Sequence, residues 1–274
     1  MSKRANDEPE PGGTRYSAPA LEKGLDILEL LAAEAQGLNQ TQIAQHLDRS
    51  ISEIFRMLVA LERRGYVRRR DQDGSYALTM RLFELAHHHP PVDRLVSEAL
   101  PEMRALAGHT GQSCHLAVYD GDRILIVAQA ESPRSRLLLV KLGAGFPLAD
   151  TASGRVLIAF QAEAERARRL ERALCGADAA WTAEALGARI AAVLARGFEE
   201  ARSDAVQGVS DLSCPIWSHR GVASAALTVP FMEMVGNPVS LEQASAALRM
   251  AAARISERLG RDHRRRAAGR PDGA

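Results

Sequence analysis

Apolar residues recur with the helical period in two short runs near the N-terminus, residues 40–47 and 51–63. Asn39 precedes the first run and Ser50 precedes the second, and each is followed three positions later by Gln or Glu, the pattern of a capping box. The pattern therefore predicts two consecutive helices joined by a tight turn. Their inward faces would consist of Ile43, Ala44, Leu47, Ile54, Met57 or Leu58, and Leu61.

A β-hairpin is predicted directly after the second helix. Residues 66–70 have the composition of a strand, Asp73-Gly74 is typical of a two-residue turn, and residues 75–78 form the return strand. Together these elements predict a winged helix-turn-helix domain over residues 17–79. Its first helix, expected over residues 17–34, would bury the stripe Leu21, Leu25, Leu28 and Leu31.

Local charge indicates double-stranded DNA as the partner of this domain. Seven arginines and three acidic residues lie between Asp48 and Arg70, although the net charge of the whole chain is only +1. Arg56 is placed to reach guanine in the major groove and Glu53 to accept from cytosine, whereas hydroxyl groups suit phosphate oxygens. The predicted DNA-binding residues are Gln40, Thr41, Arg49, Ser50, Ser52, Glu53, Arg56, Arg68, Arg69 and Arg70.

Simpler interpretations of these residues stay open at this point. Glu53 is also placed to do no more than cap its own helix, because the capping-box geometry is entirely local. Arg56 alone suits a phosphate contact as well as a base contact. The whole stretch also fits an ordinary helical hairpin, and the basic strand that follows is what favours DNA binding.

The rest of the chain predicts a linker helix over residues 80–91, which Pro90 and Pro91 end, and an α+β domain over residues 92–260. In this domain, which has an antiparallel sheet flanked by helices, helices are expected at 92–108, 150–165, 162–196 with a break near Gly176, and 240–260. Strands are expected at 113–119, 123–129, 137–142, 209–217 and 223–230. The polar residues 1–16 and the basic tail 261–274 are expected to be disordered.

Composition limits the class of protein. A length of 274 residues with 46% hydrophobic residues is sufficient for two domains with their own cores. The three cysteines, Cys114, Cys175 and Cys214, are odd in number and scattered, which indicates reduced thiols in a cytoplasm. No apolar run approaches the ~18 residues that a membrane span needs. We therefore expect a cytoplasmic protein that has no membrane partner.

No pattern in the chain indicates catalysis. Ser153 is not part of a G-x-S-x-G motif and has no base nearby in the sequence. The run from His87 to His89 fits a solvated linker better than a metal site. Cys114 and His115 are neighbours on a predicted strand, so their side chains would point to opposite faces. We assign no catalytic residue, no metal ligand and no cofactor, and we expect the protein not to be an enzyme.

A series of motifs carries a resemblance to a known family: Leu21-Glu-Lys-Gly-Leu-Asp-Ile-Leu28, Ser52-Glu-Ile-Phe-Arg56, Leu61-Glu-Arg-Arg-Gly-Tyr-Val67, Gly74-Ser-Tyr-Ala-Leu78, His115-Leu-Ala-Val118, Gly143-Ala-Gly-Phe-Pro-Leu148, Ala152-Ser-Gly-Arg155, Gly197-Phe198, Gly208-Val209 and Cys214-Pro215. In this order and spacing the chain resembles the IclR family of bacterial transcriptional regulators over residues 17–260. The resemblance implies a C-terminal domain similar to the GAF fold that binds a small organic acid or aromatic metabolite. It also implies homodimers or homotetramers that bind palindromic operators.

By motif position, the resemblance implies an effector pocket lined by Leu138, Ala152, Ser153, Gly154, Val209, Asp211, Thr228 and Pro230. The small residues at the predicted helix start would offer free N–H groups and a positive dipole end to a carboxylate. A tight contact between this helix and the sheet is the alternative explanation of these small residues. The chain departs from the family at Arg155, where Lys is common, and at Asp211, where Cys is common.

The sequence therefore predicts a ligand-responsive, DNA-binding transcriptional regulator. A metal or redox sensor on the same DNA-binding domain is one alternative. A metabolic enzyme with an N-terminal interaction module is another.

Overall fold

The structure, a computed structural model, describes residues 18–87, 90–134, 138–176 and 181–260. Residues 1–16 and 261–274, which are predicted to be disordered, lie outside the described residues. Contacts within the chain define two units that divide between residues 89 and 90. Each unit is described by itself below.

Over its described residues, 18–87, the N-terminal unit contains three helices, a two-stranded wing and a short fourth helix. Its elements are α1 (Pro19–Ala33), α2 (Gln40–His46), α3 (Ile51–Arg63), β1 (Val67–Arg69), β2 (Tyr76–Leu78) and α4 (Arg81–His87). A backbone bridge from Leu38 to Tyr76 ties the loop before α2 to the wing. The core of the unit consists of Ile27, Leu31, Leu38, Ile43, Ala44, Ile54, Leu58, Val67 and Tyr76.

Two predictions for this unit are wrong in detail. Leu21 and Leu25 are 64% and 48% exposed, whereas Leu31 of the same predicted stripe is buried. Ile27, which was not part of the predicted stripe, is the other buried residue of α1. The wing turn is longer than the predicted two residues. Since the Arg70 N–H donates to the Ser75 carbonyl at 2.7 Å, the loop between these residues contains four residues, 71–74.

The C-terminal unit is a six-stranded antiparallel sheet between two helical layers. Its helices are α5 (Pro90–Thr110), α6 (Ala152–Ala159), α7 (Glu163–Gly176), α8 (Ala183–Arg196) and α9 (Leu241–Arg258). Its strands are β3 (Cys114–Asp120), β4 (Arg123–Ala130), β5 (Gly145–Pro147), β6 (Glu199–Arg202), β7 (Val209–Trp217) and β8 (Ala223–Met232), in the spatial order β5-β4-β3-β8-β7-β6. One core packs against α5 and α9, and the other packs against α6, α7 and α8.

The predicted strand at 137–142 is absent over its described residues, 138–142. The chain joins β4 only later, where the Gly143 N–H donates to Ile126 and the Ile126 N–H donates to Ala144. The apolar residues of this segment line a cavity instead of forming a strand; they are Leu138, Leu139 and Val140. Their apolar run therefore reflects a pocket wall.

Three element boundaries also differ from the prediction. Pro90 and Pro91 begin α5 instead of ending a helix, because proline is tolerated in the first helical turn. The helix predicted over 150–165 stops after Ala159, where the Phe160 carbonyl accepts from the Ala223 N–H of β8. Strand β6 was not predicted, because Glu199–Arg202 is charged and lacks an apolar alternation.

Candidate nucleic-acid interface and ligand pocket

Both predicted capping boxes are present at the start of α2 and α3. The Asn39 side chain accepts from the Gln42 N–H at 3.0 Å, and the Gln42 side chain accepts from the Asn39 N–H at 2.8 Å. Ser50 and Glu53 make the corresponding pair of bonds at α3. These bonds satisfy N–H groups that a helix start otherwise leaves without partners. They fix the N-terminus of α3, the part of such a helix that enters the major groove.

The Glu53 carboxylate is already engaged by groups of its own domain. Its Oε1 lies 2.5 Å from Lys23 Nζ on α1, and its Oε2 accepts from the Ser50 hydroxyl at 2.8 Å. These hydrogen bonds, that to Lys23 first, lower the pKa of Glu53 to about 2. The geometry therefore supports the capping interpretation, and a cytosine contact by Glu53 stays a prediction.

The outward side of α3 offers Ser52 and Arg56, both exposed. Arg56 has no ion pair among the residues that the structure describes, so its guanidinium is available to a phosphate or a base. Phe55 beside it is 49% exposed. Thr41, Arg49 and Ser50 are also exposed.

The remaining predicted DNA-binding residues differ in whether a hydrogen bond within the domain already engages their side chains. Gln40 donates its amide to the Ile51 carbonyl at 3.1 Å and so connects α2 to α3. Arg68 and Arg69 are exposed on β1. Arg70 lies beyond β1, and its guanidinium donates to the Gln36 carbonyl at 2.5 Å. Arg70 thus holds the wing to the loop before α2, and Arg68 and Arg69 are the more available wing cations.

A cavity of about 300 Å³ lies in the C-terminal unit beside the start of α6. Six of the eight predicted effector residues line it: Leu138, Ala152, Ser153, Asp211, Thr228 and Pro230. The rest of the wall is mostly apolar and includes Ile124, Ile126, Leu139, Val140, Ala144, Phe146 and Val206. The structure therefore brings together residues that are far apart in the sequence.

Gly154 and Val209 are not part of the cavity wall. A side chain on Gly154 would collide with the backbone of Leu148, so the absence of a side chain lets α6 approach this segment closely. Val209 is buried at the end of β7, opposite Met232. Gly154 therefore makes a tight packing contact, but with the segment that follows β5 and not with the sheet itself.

A row of polar residues crosses the sheet beneath α6. Register pairs place Gln129, His115, Thr228, Ser213 and Glu199 side by side on strands β4, β3, β8, β7 and β6. Paired residues project to the same face of a sheet, so all five side chains face α6. Two of them, His115 and Thr228, line the cavity.

Ser153, at the start of α6, joins the middle of this polar row. Its hydroxyl lies 2.8 Å from that of Thr228 and 3.4 Å from His115 Nε2, and Thr228 lies 2.7 Å from the Ser213 hydroxyl. The three hydroxyl groups and the imidazole thus satisfy one another inside a buried site.

His115 is a pocket residue that the sequence analysis did not assign. Burial lowers its pKa to about 4, so the imidazole is neutral at physiological pH. The alternation of strand β3 carried the signal, since Cys114 lies in the core against α5 and α9 and His115 faces the opposite side. Ser153 and His115 do form a pair, but no acidic side chain bonds to His115 among the described residues.

Arg155, one of the two departures from the family pattern, is fully buried in α6. Its Nε donates to Glu199 at 2.8 Å, and its Nη1 donates to the Ala149 carbonyl at 2.7 Å and to Asp204 at 2.9 Å. Arg189 also binds Glu199. Arg155 therefore holds α6 to β6 and to the loop after β6, part of which lines the cavity.

The start of α6 has the geometry expected for binding a carboxylate. The Thr151 hydroxyl accepts from the Gly154 N–H at 3.0 Å. The N–H groups of Ala152 and Ser153 belong to the first helical turn, which lacks intrahelical partners, and both residues line the cavity. These two N–H groups and the helix dipole make this end of the cavity favourable for an anion.

The described residues contain no group of three or more His, Cys, Asp or Glu side chains placed to hold a metal ion. His88 and His89 of the histidine run lie outside them. Among the helices that the structure describes, none combines the length and apolar character that a membrane span requires.

Family models match most of the chain. The model for the IclR helix-turn-helix domain matches residues 20–71, and the model for the bacterial transcriptional regulator IclR C-terminal domain matches residues 92–257. The chain is 28% identical to the HTH-type transcriptional regulator KdgR of Escherichia coli (strain K12) over 247 residues, which cover 89% of this chain and 94% of KdgR.

Solved structures show the same fold. The structure of Pseudomonas aeruginosa HmgR matches with a TM-score of 0.69 at 26% identity, covering 89% of this chain and 100% of HmgR. An IclR homolog from Microbacterium hydrocarbonoxydans, complexed with 4-hydroxybenzoate, matches with a TM-score of 0.73 at 23% identity, covering 88% of this chain and 98% of that one.

Proposed function

The chain belongs to the IclR family of bacterial transcriptional regulators, and we propose that it binds palindromic operators as a dimer or tetramer under the control of a small organic acid or aromatic metabolite. DNA binding and transcriptional regulation follow from the family. The operator geometry, the oligomer and the effector are the proposed parts.

The N-terminal unit supports operator recognition by α3 and the wing. Capping boxes fix the start of α3, and Ser52 and Arg56 project from it without engagement by the core. Arg68 and Arg69 on β1 add positive charge beside this helix. In a dimer, two such helices would meet half-sites about one helical turn, roughly 34 Å, apart.

Exposed apolar side chains of the N-terminal unit support self-association. On α1 these are Leu21 and Leu25, and on α4 they are Leu82, Phe83 and Leu85. A second copy of the chain would remove these side chains from water. Identical surfaces paired about a two-fold axis would match a palindromic operator.

The cavity of the C-terminal unit supports effector binding. The observation on which this part of the proposal rests is that the first residues of α6 line the cavity. Its volume of about 300 Å³ is at the small end of the range for ligand pockets, so a small metabolite fits better than a large one. An apolar wall suits a hydrocarbon chain or ring, and the free N–H groups of α6 suit a carboxylate. The 4-hydroxybenzoate complex of a structure with the same fold is consistent with this class.

The experiment that tests the proposal is operator binding by the purified full-length protein. An operator is first selected from random duplexes and then titrated with protein, with and without aromatic and short-chain organic acids. We expect a two-fold symmetric operator and a shift in its affinity with at least one acid. Failure to select a specific duplex would contradict operator recognition. An operator affinity that no acid changes would contradict effector control.

A further inference from the structure

Asp211 is an acidic side chain on the wall of the proposed effector cavity, and it has no ion pair among the residues described. It lies on β7 opposite Pro230, two residues from Ser213, so it shares the pocket face of the sheet with the hydroxyl row. Burial raises its pKa, and the Ser203 side chain and the charge of Arg155 act in the opposite direction. Arg155 itself is bonded to Glu199 and Asp204.

The hydroxyl groups and the imidazole at the middle of this face have partners within the protein. Ser153, Thr228, Ser213 and His115 hydrogen bond with one another. The partly buried Asp211 carboxylate differs from these groups, because its partner is the Ser203 side chain and no cation pairs with it among the described residues. A carboxylate has about four acceptor positions, so one hydrogen bond leaves room for a donor supplied by a ligand.

The remaining charged groups on the wall are Lys141 and Asp150. Lys141 is exposed, and no ion pair joins it to Asp211 among the described residues. Asp150 precedes α6 and adds a second acidic group to the wall. A second carboxylate on a ligand, at the end away from α6, would therefore meet the negative charge of Asp211.

We propose that the effector carries a hydrogen-bond donor, a hydroxyl or an ammonium group, that binds Asp211 at the end of the cavity away from its acid group. The effector class is then hydroxy acids or amino acids, to the exclusion of simple monocarboxylic and dicarboxylic acids. This inference rests on the proposed function, which places an acid at the start of α6. Asp211 lies about 7 Å along β7 from Ser213, the strand position beside Thr228 and Ser153, so the two polar groups of the ligand are separated by a short chain or one ring.

Two matched series of probes test the inference on the full-length protein by calorimetric titration. The aromatic series is benzoate, 4-hydroxybenzoate, 4-aminobenzoate, 4-methoxybenzoate and terephthalate. The aliphatic series is butyrate, 4-hydroxybutyrate, 4-aminobutyrate and succinate. In at least one series a hydroxy or amino acid should bind about tenfold or more tightly than its unsubstituted parent, the gain expected from a hydrogen bond to a charged group.

Two variants identify the residue responsible. Asp211→Ala should reduce the preference for the hydroxy or amino acid to less than about threefold, because the acceptor is lost while the acid end is intact. Asp150→Asn changes a carboxylate on the same wall and should keep the preference. Equal binding of parent and substituted acids, preferred binding of a dicarboxylate, or a preference that survives in Asp211→Ala would overturn the inference.

The same titrations separate this inference from the proposed function. If unsubstituted acids bind the cavity as tightly as their hydroxy and amino derivatives and change operator affinity, the proposed function stands and the role of Asp211 is wrong. If no acid of either series binds, the inference fails. If in addition no acid changes operator affinity, effector control by this class of ligand fails with it.

Discussion

Lys23 on α1 and Glu53 on α3 form an ion pair with 2.5 Å between Nζ and Oε1. The pair connects two helices of the DNA-binding unit at the residue that also caps α3. It gives Glu53 a structural role at the position where a sequence pattern alone suggests base recognition. Arg56, one turn further along, has no such engagement among the described residues.

Glu53→Gln should therefore leave the operator sequence preference unchanged, because Gln completes a capping box as Glu does. Arg56→Ala should weaken specific binding by about tenfold or more, since a base contact of this kind contributes roughly 1–3 kcal/mol. Fluorescence anisotropy on the selected operator and on single-base variants measures both. An altered preference at a cytosine position in Glu53→Gln would show that Glu53 reads the operator.

Gly154→Ala should destabilise the C-terminal unit by about 1–3 kcal/mol, because the added methyl group would overlap the backbone of Leu148. Gly187→Ala is the matched control. Gly187 also lies in a helix, but a side chain there meets nothing within 4 Å, so the variant should gain up to about 1 kcal/mol of stability. Urea unfolding measures both, and an unchanged midpoint for Gly154→Ala would contradict the packing role.

His115 should make the folded state lose stability in mild acid. Its pKa is about 4 in the folded chain against an ordinary value of 6.5, so between these values the unfolded chain binds a proton that the folded chain does not. The contribution of His115 to the free energy of unfolding is fully present above pH 6.5. It falls by about 3 kcal/mol as the pH drops to 4. Asp211, whose pKa is raised by burial, acts in the opposite direction at low pH.

The difference between wild type and His115→Asn in urea unfolding from pH 7 to pH 4 isolates this contribution. The variant should show the smaller loss of stability. Identical pH dependence in the two proteins would mean that His115 is charged, or accessible to water, in the folded state.

The cysteines should distinguish an effector-controlled regulator from a thiol redox sensor. Burial raises the pKa of Cys114 and Cys214 to about 12, which makes the reactive thiolate about a thousandfold scarcer than at an ordinary cysteine. Cys175 is exposed. One thiol should therefore react with Ellman's reagent in the folded protein and three after unfolding, and Cys175→Ser should bind its operator equally well with and without oxidant. Rapid reaction of three thiols in the folded state would instead support a thiol redox sensor.

Local signals in the sequence predicted much of the fold. Asn39 and Ser50 cap α2 and α3 as expected, since a capping box involves residues only three positions apart. Strand β7 matches its predicted range, because most residues of Val209–Trp217 are apolar and turn residues bound the segment. The errors arose where contacts distant in sequence decide the outcome. The exposed Leu21 and Leu25 of α1 are one example.

In the candidate pocket, too, some features were predicted from the sequence and others depend on contacts between distant residues. Ser153 and Thr228 were predicted from motif positions and do line the cavity, whereas their bonds to His115 and Ser213 depend on strand register across the sheet. Strand β6 was not predicted for a related reason. Its Glu199 is buried with two arginines as partners, Arg155, 44 residues earlier, and Arg189.

Ser153→Trp tests the central claim, control of operator binding by a ligand in the cavity, most directly. Ser153 is buried on the cavity wall in the C-terminal unit, so an indole there should fill the cavity, while the residues of α3 and the wing are unchanged. Operator affinity of wild type and variant is measured by anisotropy with increasing concentrations of the acid that binds the wild type. We expect equal operator affinity without the acid and a response only in the wild type. The same response in the variant would contradict the account, because the effector would then act from another site.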